Sequence, residues 1–409
     1  MGFRLSTLQE YNRFIAIDIG SYKIRVLICE IKSGELTILG RASVRQARSY
    51  TIGWVITDMH GVAETIRRAI DIASKNIDEV PEDIIITLLS DALISDTVTT
   101  QYIRGDKDST LTMEEIDAMI KKIESHSFDR ARTKIRTQFG SSEMEIRLIS
   151  STLTSIYIDD KRIMNPIGFT GKNVRFTVLN VFAPTSDCNV LRSVISALDR
   201  KTISIIPPPL VLSKIIERTE NILDTNTYLD IGYSHTTIVI EVRGEIVTFH
   251  TLPIGTSLLE QEIWKIWAEK WFLNREHTLV DILAISREKL EQKKYAWYQS
   301  VIEAFFALIT DSLLATIERN SDTMILKNLF LSGWIFLGKL PLEMIRYHLS
   351  HTIHKDVVLE TLVEKTDETL GITSEYITAY GLSLIAADLL LIKKDPLIRI
   401  LRYVLYQYE

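Results

Sequence analysis

The chain uses one short pattern twice: Ala16-Ile17-Asp18-Ile19-Gly20-Ser21 near its start and Tyr228-Leu229-Asp230-Ile231-Gly232-Tyr233 about half a chain later. In each copy an apolar strand ends in an aspartate and a glycine, and a second apolar strand follows. Glycine tolerates positive φ and lets backbone amides approach a ligand closely, and successive N–H groups at such a turn form an anion-binding concavity. Repetition on this scale predicts a duplicated domain whose two turns face a shared crevice.

The residues around the first copy predict a three-stranded meander followed by a helix and a fourth strand. The apolar run Phe14–Ile17 resumes at Ile24–Ile28 after the turn, and a third short strand is expected over Leu36–Leu39. Apolar residues at helical spacing predict a helix over Asp58–Ser74, and Ile84–Leu89 has the composition of a buried strand.

After the triple proline at 207–209, which is a strong breaker and a plausible domain boundary, the opening strand, turn and strand pattern returns over Thr227–Leu252. Between the copies, the region from Ala92 to Thr177 differs in character. It combines a charged helix over Met113–Ser125, a polar, arginine-rich stretch over Asp129–Arg136 and segments with a period of two residues. This alternation predicts a separate small α/β subdomain inserted into the first lobe.

Composition narrows the class of protein. The chain has 409 residues, more than one hydrophobic core usually organises, and its net charge of −6 argues against a broadly basic surface for nucleic acid. Its two cysteines, Cys29 and Cys188, lack the spacing of a metal or redox site and suit a reducing, cytosolic compartment. No run approaches the ~20 apolar residues of a membrane span, so any membrane contact is expected to be peripheral.

The motifs resemble those of the actin, Hsp70 and sugar-kinase superfamily and, within it, the FtsA family of bacterial cell-division proteins. Arg13–Val26 resembles the first phosphate loop, Asp230–Ile240 the second, and Asn328–Gly338 the adenosine-binding motif. Ala379–Leu382 resembles the closing helix of the fold, whose small residues pack between the two halves. Met164–Val174 is close to a segment typical of FtsA.

The resemblance implies an α/β fold of the actin/Hsp70-like (ribonuclease H-like) duplicated type, with two lobes and an FtsA-type inserted subdomain. The expected subdomains are 1A over 11–90 with 179–206 and 375–392, 1C over 91–178, 2A over 207–255 and 302–374, 2B over 256–301, and a membrane-binding tail over 393–409.

The resemblance also implies where a nucleotide would contact the chain. The implied phosphate contacts are Asp18, Gly20, Ser21 and Lys23 in the first turn and Asp230, Gly232, Ser234, His235 and Thr236 in the second, and the implied adenosine contacts are Ser332, Gly333 and Trp334. Mg²⁺ would be held weakly through the two aspartates, because carboxylate oxygens are its usual protein ligands.

Three side chains depart from the family pattern at these positions. Tyr233 and Ser234 stand where the family usually has two glycines, and Trp334 replaces the second glycine of the adenosine motif. Each puts a side chain where backbone normally approaches the ligand. Binding of ATP and Mg²⁺ is therefore expected to be weakened, with little or no turnover, and the residues show no nucleophile–base arrangement for catalysis.

The C-terminal segment has the pattern of an amphipathic helix. Its apolar face consists of Leu397, Ile400, Leu401, Val404 and Leu405, and Arg399 and Arg402 lie elsewhere on the helix, where they favour anionic lipid headgroups. At ~1.5 Å per residue such a helix is ~20 Å long, too short to cross a bilayer. A helix docked on the protein body is the alternative, and the family resemblance favours a membrane anchor.

The resemblance implies a protein that polymerises with copies of itself on the cytoplasmic face of the plasma membrane. There it would bind anionic lipid and tether the ring of FtsZ, a tubulin-like division protein. Two alternatives remain open: a PilM-like adaptor of pilus assembly, and an active ATPase of the same fold. The altered second turn and the missing glycine pair disfavour the ATPase.

Overall fold

The computed structural model describes residues 12–140, 144–163, 165–217, 225–267, 292–320, 326–333, 339–353, 357–366 and 368–392. The predicted tail over 393–409 and the predicted adenosine contact Trp334 lie outside the described residues, as does the middle of the predicted 2B subdomain.

The first lobe is interrupted by one long insertion. Before it come β1 (Asn12–Ile19), β2 (Lys23–Lys32), β3 (Glu35–Arg45), β4 (Thr51–Ile52), β5 (Val55–Ile56), α1 (Met59–Ala73) and β6 (Asp83–Thr87). The insertion contains β7 (Ile94–Ile103), α2 (Met113–Phe139), β8 (Ile146–Ile158), β9 (Lys161–Arg162) and β10 (Asn173–Pro184), which form a sheet of order β7-β10-β8-β9 beside α2. The lobe resumes with α3 (Thr185–Leu198) and β11 (Lys201–Ile206).

The second lobe follows without such an insertion among the described residues. Its elements are α4 (Pro209–Glu217), β12 (Thr225–Ile231), β13 (Thr236–Val242), β14 (Glu245–Leu252), α5 (Thr256–Trp267), α6 (Gln292–Asn320), β15 (Asn328–Ser332), α7 (Lys339–Ile353) and β16 (Val358–Thr361). Short 3₁₀ turns at Leu362–Lys365, Glu368–Leu370 and Ser374–Tyr376 lead to α8 (Ile377–Ile392).

The two main sheets have the same topology. Their strand orders are β3-β2-β1-β6-β11 and β14-β13-β12-β15-β16. In each, three antiparallel meander strands come first, and two later strands add in parallel beside the first strand of the meander. This correspondence confirms the duplicated α/β fold that the repeated Asp-Ile-Gly pattern predicts.

One apolar core joins the two sheets, with α4 and α8 between them. It contains Phe14 and Leu27 from the first sheet and Tyr228 and Phe330 from the second, all buried. A side chain at Gly381 of α8 would lie 2.7 Å from the Val211 carbonyl oxygen of α4. The two helices therefore approach as closely as the small residues of the predicted closing helix allow.

The inserted subdomain differs from the sequence prediction in one helix and one strand. α2 runs through both the predicted helix over Met113–Ser125 and the stretch over Asp129–Arg136. Its basic side chains find a partner on β7, which was not predicted. Arg130 and Lys134, one helical turn apart, lie 2.7 Å and 3.2 Å from the carboxylate of the buried Asp96. This shared carboxylate lets an arginine-rich segment remain helical against the sheet.

One helix departs from the expectation that no segment approaches a membrane span in length and apolar content. Within α6, Ser300–Arg319 has the length and mean hydropathy (1.7) of a membrane span by composition. Its inward side chains, including Ile302, Phe306, Ile309 and Leu313, are buried in the core of the second lobe. Core helices of soluble domains meet the same criteria, so this finding by itself does not indicate a span.

Candidate functional site

The two Asp-Ile-Gly turns have the same backbone geometry. The Gly20 amide donates to the Lys23 carbonyl at 3.0 Å, and the Gly232 amide donates to the His235 carbonyl at 2.9 Å. A β-carbon at Gly20 or Gly232 would lie 2.8 Å or 2.9 Å from those same carbonyl oxygens. Both turns thus need glycine for the same steric reason, and the repeated pattern corresponds to one hairpin used twice.

The tips of the two turns are in direct contact across the crevice. The hydroxyl oxygens of Ser21 and Ser234, both predicted phosphate contacts, are hydrogen-bonded at 2.6 Å. Tyr22 follows Ser21, and Tyr233 precedes Ser234. The two tyrosine rings stack with centroids 4.7 Å apart. The lobes therefore meet where the sequence predicts that they would hold phosphate.

Two carboxylates stand at the base of the crevice, one from each lobe. Asp18 is buried, and its Oδ2 lies 3.1 Å from Nη1 of Arg25, its cross-strand partner on β2. Burial raises the pKa of Asp18, and the charge of Arg25 acts in the opposite direction. Burial likewise raises the pKa of Asp230, the hydrogen bond with Ser332 opposes that rise, and the charge of Asp18 adds to it. The two acids are thus close enough to repel each other.

Lys23, another predicted phosphate contact, is directed to a carboxylate of the 3₁₀ turn that precedes α8. Its Nζ lies 2.5 Å from Glu375 Oε1, and the Ser43 hydroxyl donates to the same oxygen at 2.7 Å. Burial alone would raise the pKa of Glu375, but the hydrogen bonds from Lys23 and Ser43 outweigh it and lower that pKa. The lysine therefore helps to hold the 3₁₀ turn before α8 against β2 and β3.

The short β4–β5 hairpin reaches from the first lobe to the second turn. The Ser234 hydroxyl donates to the Gly53 carbonyl at 3.1 Å. Asp91 Oδ1 accepts from the Trp54 amide at 2.8 Å and lies 3.1 Å from Nε2 of His235, whose ring packs near the Trp54 indole. His235 is buried, and its Nδ1 has no hydrogen-bond partner among the described residues. This hairpin covers the crevice beside the turn.

Tyr233 is also anchored on the far side of the crevice. Its hydroxyl donates to Glu260 of α5 at 2.9 Å, and the other oxygen of Glu260 lies 3.1 Å from Arg48 of the first lobe. Burial, with the nearby charge of Glu260, raises the pKa of Tyr233 to about 12. The Thr236 hydroxyl donates to the Ile254 carbonyl at 2.6 Å. This bond connects the second hairpin to the loop that precedes α5.

The predicted adenosine motif lies beside the second aspartate. β15 ends at Ser332, which pairs in register with Asp230. Gly333 follows with φ of +118°, and a β-carbon there would lie 2.3 Å from the Ile231 carbonyl oxygen. Close approach of the backbone at this turn therefore requires glycine, and the other predicted contact, Trp334, lies outside the described residues.

These residues, as arranged, do not fit a nucleotide polyphosphate with Mg²⁺. A hydroxyl–hydroxyl distance of 2.6 Å leaves no space for a phosphate group between Ser21 and Ser234. Asp18 is already paired with an arginine. The arrangement places the two lobes in direct contact at the crevice.

Sequence reasoning missed the residues that close the crevice. Arg25 could have been found, because a tight turn centred on 21 and 22 pairs positions 18 and 25 across the hairpin. Gly53, Asp91 and Glu260 had no comparable signal. Each belongs to a segment without hydrophobic periodicity or is joined to a partner far away in sequence.

Comparison with known proteins identifies the fold. No family model matches the sequence, and no curated protein matches it. The chain is similar to a chain of the PilM–PilN type IV pilus biogenesis complex (TM-score 0.62, 14% identity, covering 92% of this chain and 99% of that chain). It is also similar to the diol dehydratase-reactivating factor in nucleotide-free form (TM-score 0.52, 10% identity, covering 92% and 100%). The chain has the actin-like ATPase fold.

Proposed function

We propose that the chain is a scaffold of the actin-like fold that works by binding other proteins at a membrane, not by turning over nucleotide. The observation that supports this most strongly is the direct contact between the two turns, through Ser21 with Ser234 and Tyr22 with Tyr233. A nucleotide could enter only after these contacts separate. Because a ligand shifts such an equilibrium only by its differential affinity, the closed state opposes nucleotide binding.

Several modest contacts together hold the lobes closed without a ligand. A stacked aromatic pair is worth about 1 kcal/mol beyond its buried area, and a net hydrogen bond about as much. The ion pair of Arg48 with Glu260 is exposed on the arginine side and adds little by itself. A closed state maintained in this way presents a constant surface to partners, which is what a scaffold requires.

The more specific role that we propose is of the FtsA type. The protein would polymerise on the cytoplasmic face of the plasma membrane, attach through the amphipathic segment over 393–409 and tether FtsZ. Support comes from the resemblance of Met164–Val174 to a segment typical of FtsA and from the apolar face of the tail. Five apolar side chains at ~1.5 kcal/mol each give a marginal anchor, so polymerisation would strengthen attachment by avidity.

A PilM-like pilus adaptor is the second candidate. The likeness to a chain of the PilM–PilN complex over 92% of this chain favours it, because that complex serves type IV pilus biogenesis. In that case the partner would be a PilN-like protein. Both candidates share the scaffold mechanism and differ in the partner.

Membrane attachment is tested by co-sedimentation with anionic liposomes. The full chain is expected to pellet with vesicles, and a chain lacking 396–409 is expected to stay in the supernatant. A matched variant, Leu401→Glu, keeps the length and the arginines of the tail but interrupts its apolar face, and it should also fail to pellet. Pelleting of the truncated chain would show that the anchor assignment is wrong.

The partner is tested by pulldown with FtsZ and, in parallel, with an N-terminal peptide of a PilN-like protein. Capture of FtsZ supports the first candidate, capture of the peptide supports the second, and capture of neither rejects both.

The scaffold mechanism is tested separately by phosphate release from Mg·ATP. Release by the full chain should not exceed that of an Asp18→Asn variant, and turnover within the usual enzyme range of 1 s⁻¹ or more would overturn the mechanism.

A further inference from the structure

The first turn is built around an arginine. β1 and β2 pair Asp18 with Arg25 in register, which puts both side chains on the same face of the hairpin. Arg25 Nη1 lies 3.1 Å from Asp18 Oδ2 and 3.5 Å from the Lys23 carbonyl oxygen. The same nitrogen lies 2.8 Å from the position that a β-carbon at Gly20 would occupy. The glycine of the turn therefore also makes room for the guanidinium group.

The surroundings of this guanidinium group shield most of it from water. The side chains of Arg25 and Asp18 are only 14% and 9% exposed. Arg25 Nε is buried and has no hydrogen-bond partner among the described residues, so the group retains a donor in a place where an unpaired donor is costly. Asp230 of the other lobe is within electrostatic reach of both Arg25 and Asp18.

We infer that Arg25 is the resident cation of the crevice and takes the place in which this fold would hold a divalent metal ion beside the two aspartates. Mg²⁺ requires near-octahedral oxygen ligands and gives up its water reluctantly, whereas the carboxylate of Asp18 is already hydrogen-bonded to a fixed charge. An arginine cannot lose its proton in a protein. The charge of Asp18 is therefore balanced without regard to metal or nucleotide supply.

This inference does not depend on the proposed partner or on membrane attachment, because it concerns only the charge balance of the crevice. It explains the poor fit to Mg·ATP by the guanidinium group of Arg25, which already occupies the Asp18 carboxylate. A cation built into the hairpin would also repel a second cation from the same carboxylate.

Charge rescue tests the inference. Thermal unfolding of the full chain is measured while MgCl₂ is titrated against NaCl of equal ionic strength. The unaltered protein should unfold at the same temperature in both salts. Arg25→Ala should unfold several degrees lower, and Mg²⁺ should restore part of that loss beyond the effect of NaCl, because the ion can then reach Asp18.

The matched control lies on the same hairpin. Arg13 Nε and Glu30 Oε1 form another cross-strand ion pair at 2.7 Å, farther from the crevice. Arg13→Ala should show no rescue by Mg²⁺. Failure of Mg²⁺ to rescue Arg25→Ala, or equal rescue of Arg13→Ala, would overturn the inference.

A second measurement does not use Arg25→Ala and therefore covers the case in which that variant does not fold. Mn²⁺ binding is followed by electron paramagnetic resonance for the full chain and for Asp18→Asn. We expect the same free Mn²⁺ signal for both proteins. A bound signal in the unaltered chain that disappears in Asp18→Asn would show a metal at this carboxylate and reject the resident-cation assignment.

Discussion

Among single residues, two acids of the crevice stand out, because their surroundings disfavour the charged form of each carboxyl. Asp18 has Arg25 as a direct partner, while Asp230 receives a hydrogen bond from Ser332 and lies near the charge of Asp18. Burial raises the pKa of both acids. Such acids reduce stability at neutral pH and are retained at sites where a fold was built for binding or catalysis.

Replacing Asp230 with asparagine should therefore stabilise the protein at neutral pH, by on the order of 1 kcal/mol. A carboxyl whose folded-state pKa is raised contributes its stability below the unfolded pKa and loses it as pH rises through the folded pKa. The gain of Asp230→Asn should accordingly be full at neutral pH and vanish under acidic conditions. Urea unfolding across that pH range measures it.

An exposed aspartate provides the control for this pH series. Asp78→Asn changes the same chemical group on the surface and should alter the free energy of unfolding by less than about 0.5 kcal/mol. If Asp230→Asn were no more stable than the parent at neutral pH, the burial cost assigned to Asp230 would be absent.

Tyr233 contributes through its ring and its hydroxyl, and two variants separate them. Tyr233→Phe should lower the free energy of unfolding by about 1 kcal/mol, because Glu260 loses its donor. Tyr233→Ala should cost about 1 kcal/mol or more beyond that, since it also removes the stack on Tyr22. Chemical denaturation decides between them, and equal losses in the two variants would mean that the stack is not stabilising.

The glycines and acids of both turns were predictable because the same pattern occurs twice, and repetition makes a short motif informative. The partners of those residues were not. Arg48 and Glu260 are brought together from different lobes, and Asp91 meets the Trp54 amide from a different loop. Hydrophobic periodicity reports which face of an element is buried and carries no information about which polar side chains meet across a fold.

Among the secondary-structure elements, the short β4–β5 hairpin links the first lobe to the second turn. Its two strands have two residues each, yet its turn supplies the Gly53 carbonyl to Ser234. Strands this short show no period of two, so no sequence pattern indicated them. The repeated meanders, with strands of seven to eleven residues, were long enough to predict.

A pair of glycine substitutions tests this hairpin. Gly53 has φ of +61°, and a β-carbon there would lie 2.9 Å from Asp91 Oδ2 and 3.2 Å from the His235 ring. Gly53→Ala should cost about 1–2 kcal/mol from backbone strain and should also push the hairpin off the second lobe. Limited proteolysis should then cut near residue 53 faster than in the parent.

Gly34 is the matched position for this test. It has a similar φ of +86°, and a β-carbon there would meet no atom within 4 Å. Gly34→Ala should therefore show the strain without the steric conflict and should leave cleavage near residue 53 unchanged. Equal proteolysis of the two variants would contradict the bridging role of the hairpin.

At the scale of the whole molecule, the inserted subdomain adds further contacts between the lobes. The Thr97 hydroxyl of β7 donates to the Val247 carbonyl of β14 at 2.9 Å, and Arg162 lies 3.7 Å from Glu245. The first lobe thus reaches the second through the crevice and through its insertion. The duplication was predictable from the sequence, whereas these contacts depend on how the insertion folds back.

An engineered disulfide between the two turns would report whether the crevice is closed without nucleotide. The hydroxyl oxygens of Ser21 and Ser234 are 2.6 Å apart, and a disulfide needs β-carbons about 3.5–4.5 Å apart. The two natural cysteines are buried and free, so they should not compete. The full chain carrying Ser21→Cys and Ser234→Cys is oxidised mildly without nucleotide and analysed by mass spectrometry of unreduced peptides. We predict a nearly complete link between positions 21 and 234 that Mg·ATP does not diminish; two thiols that stay free, or a link that Mg·ATP prevents, would contradict the closed crevice.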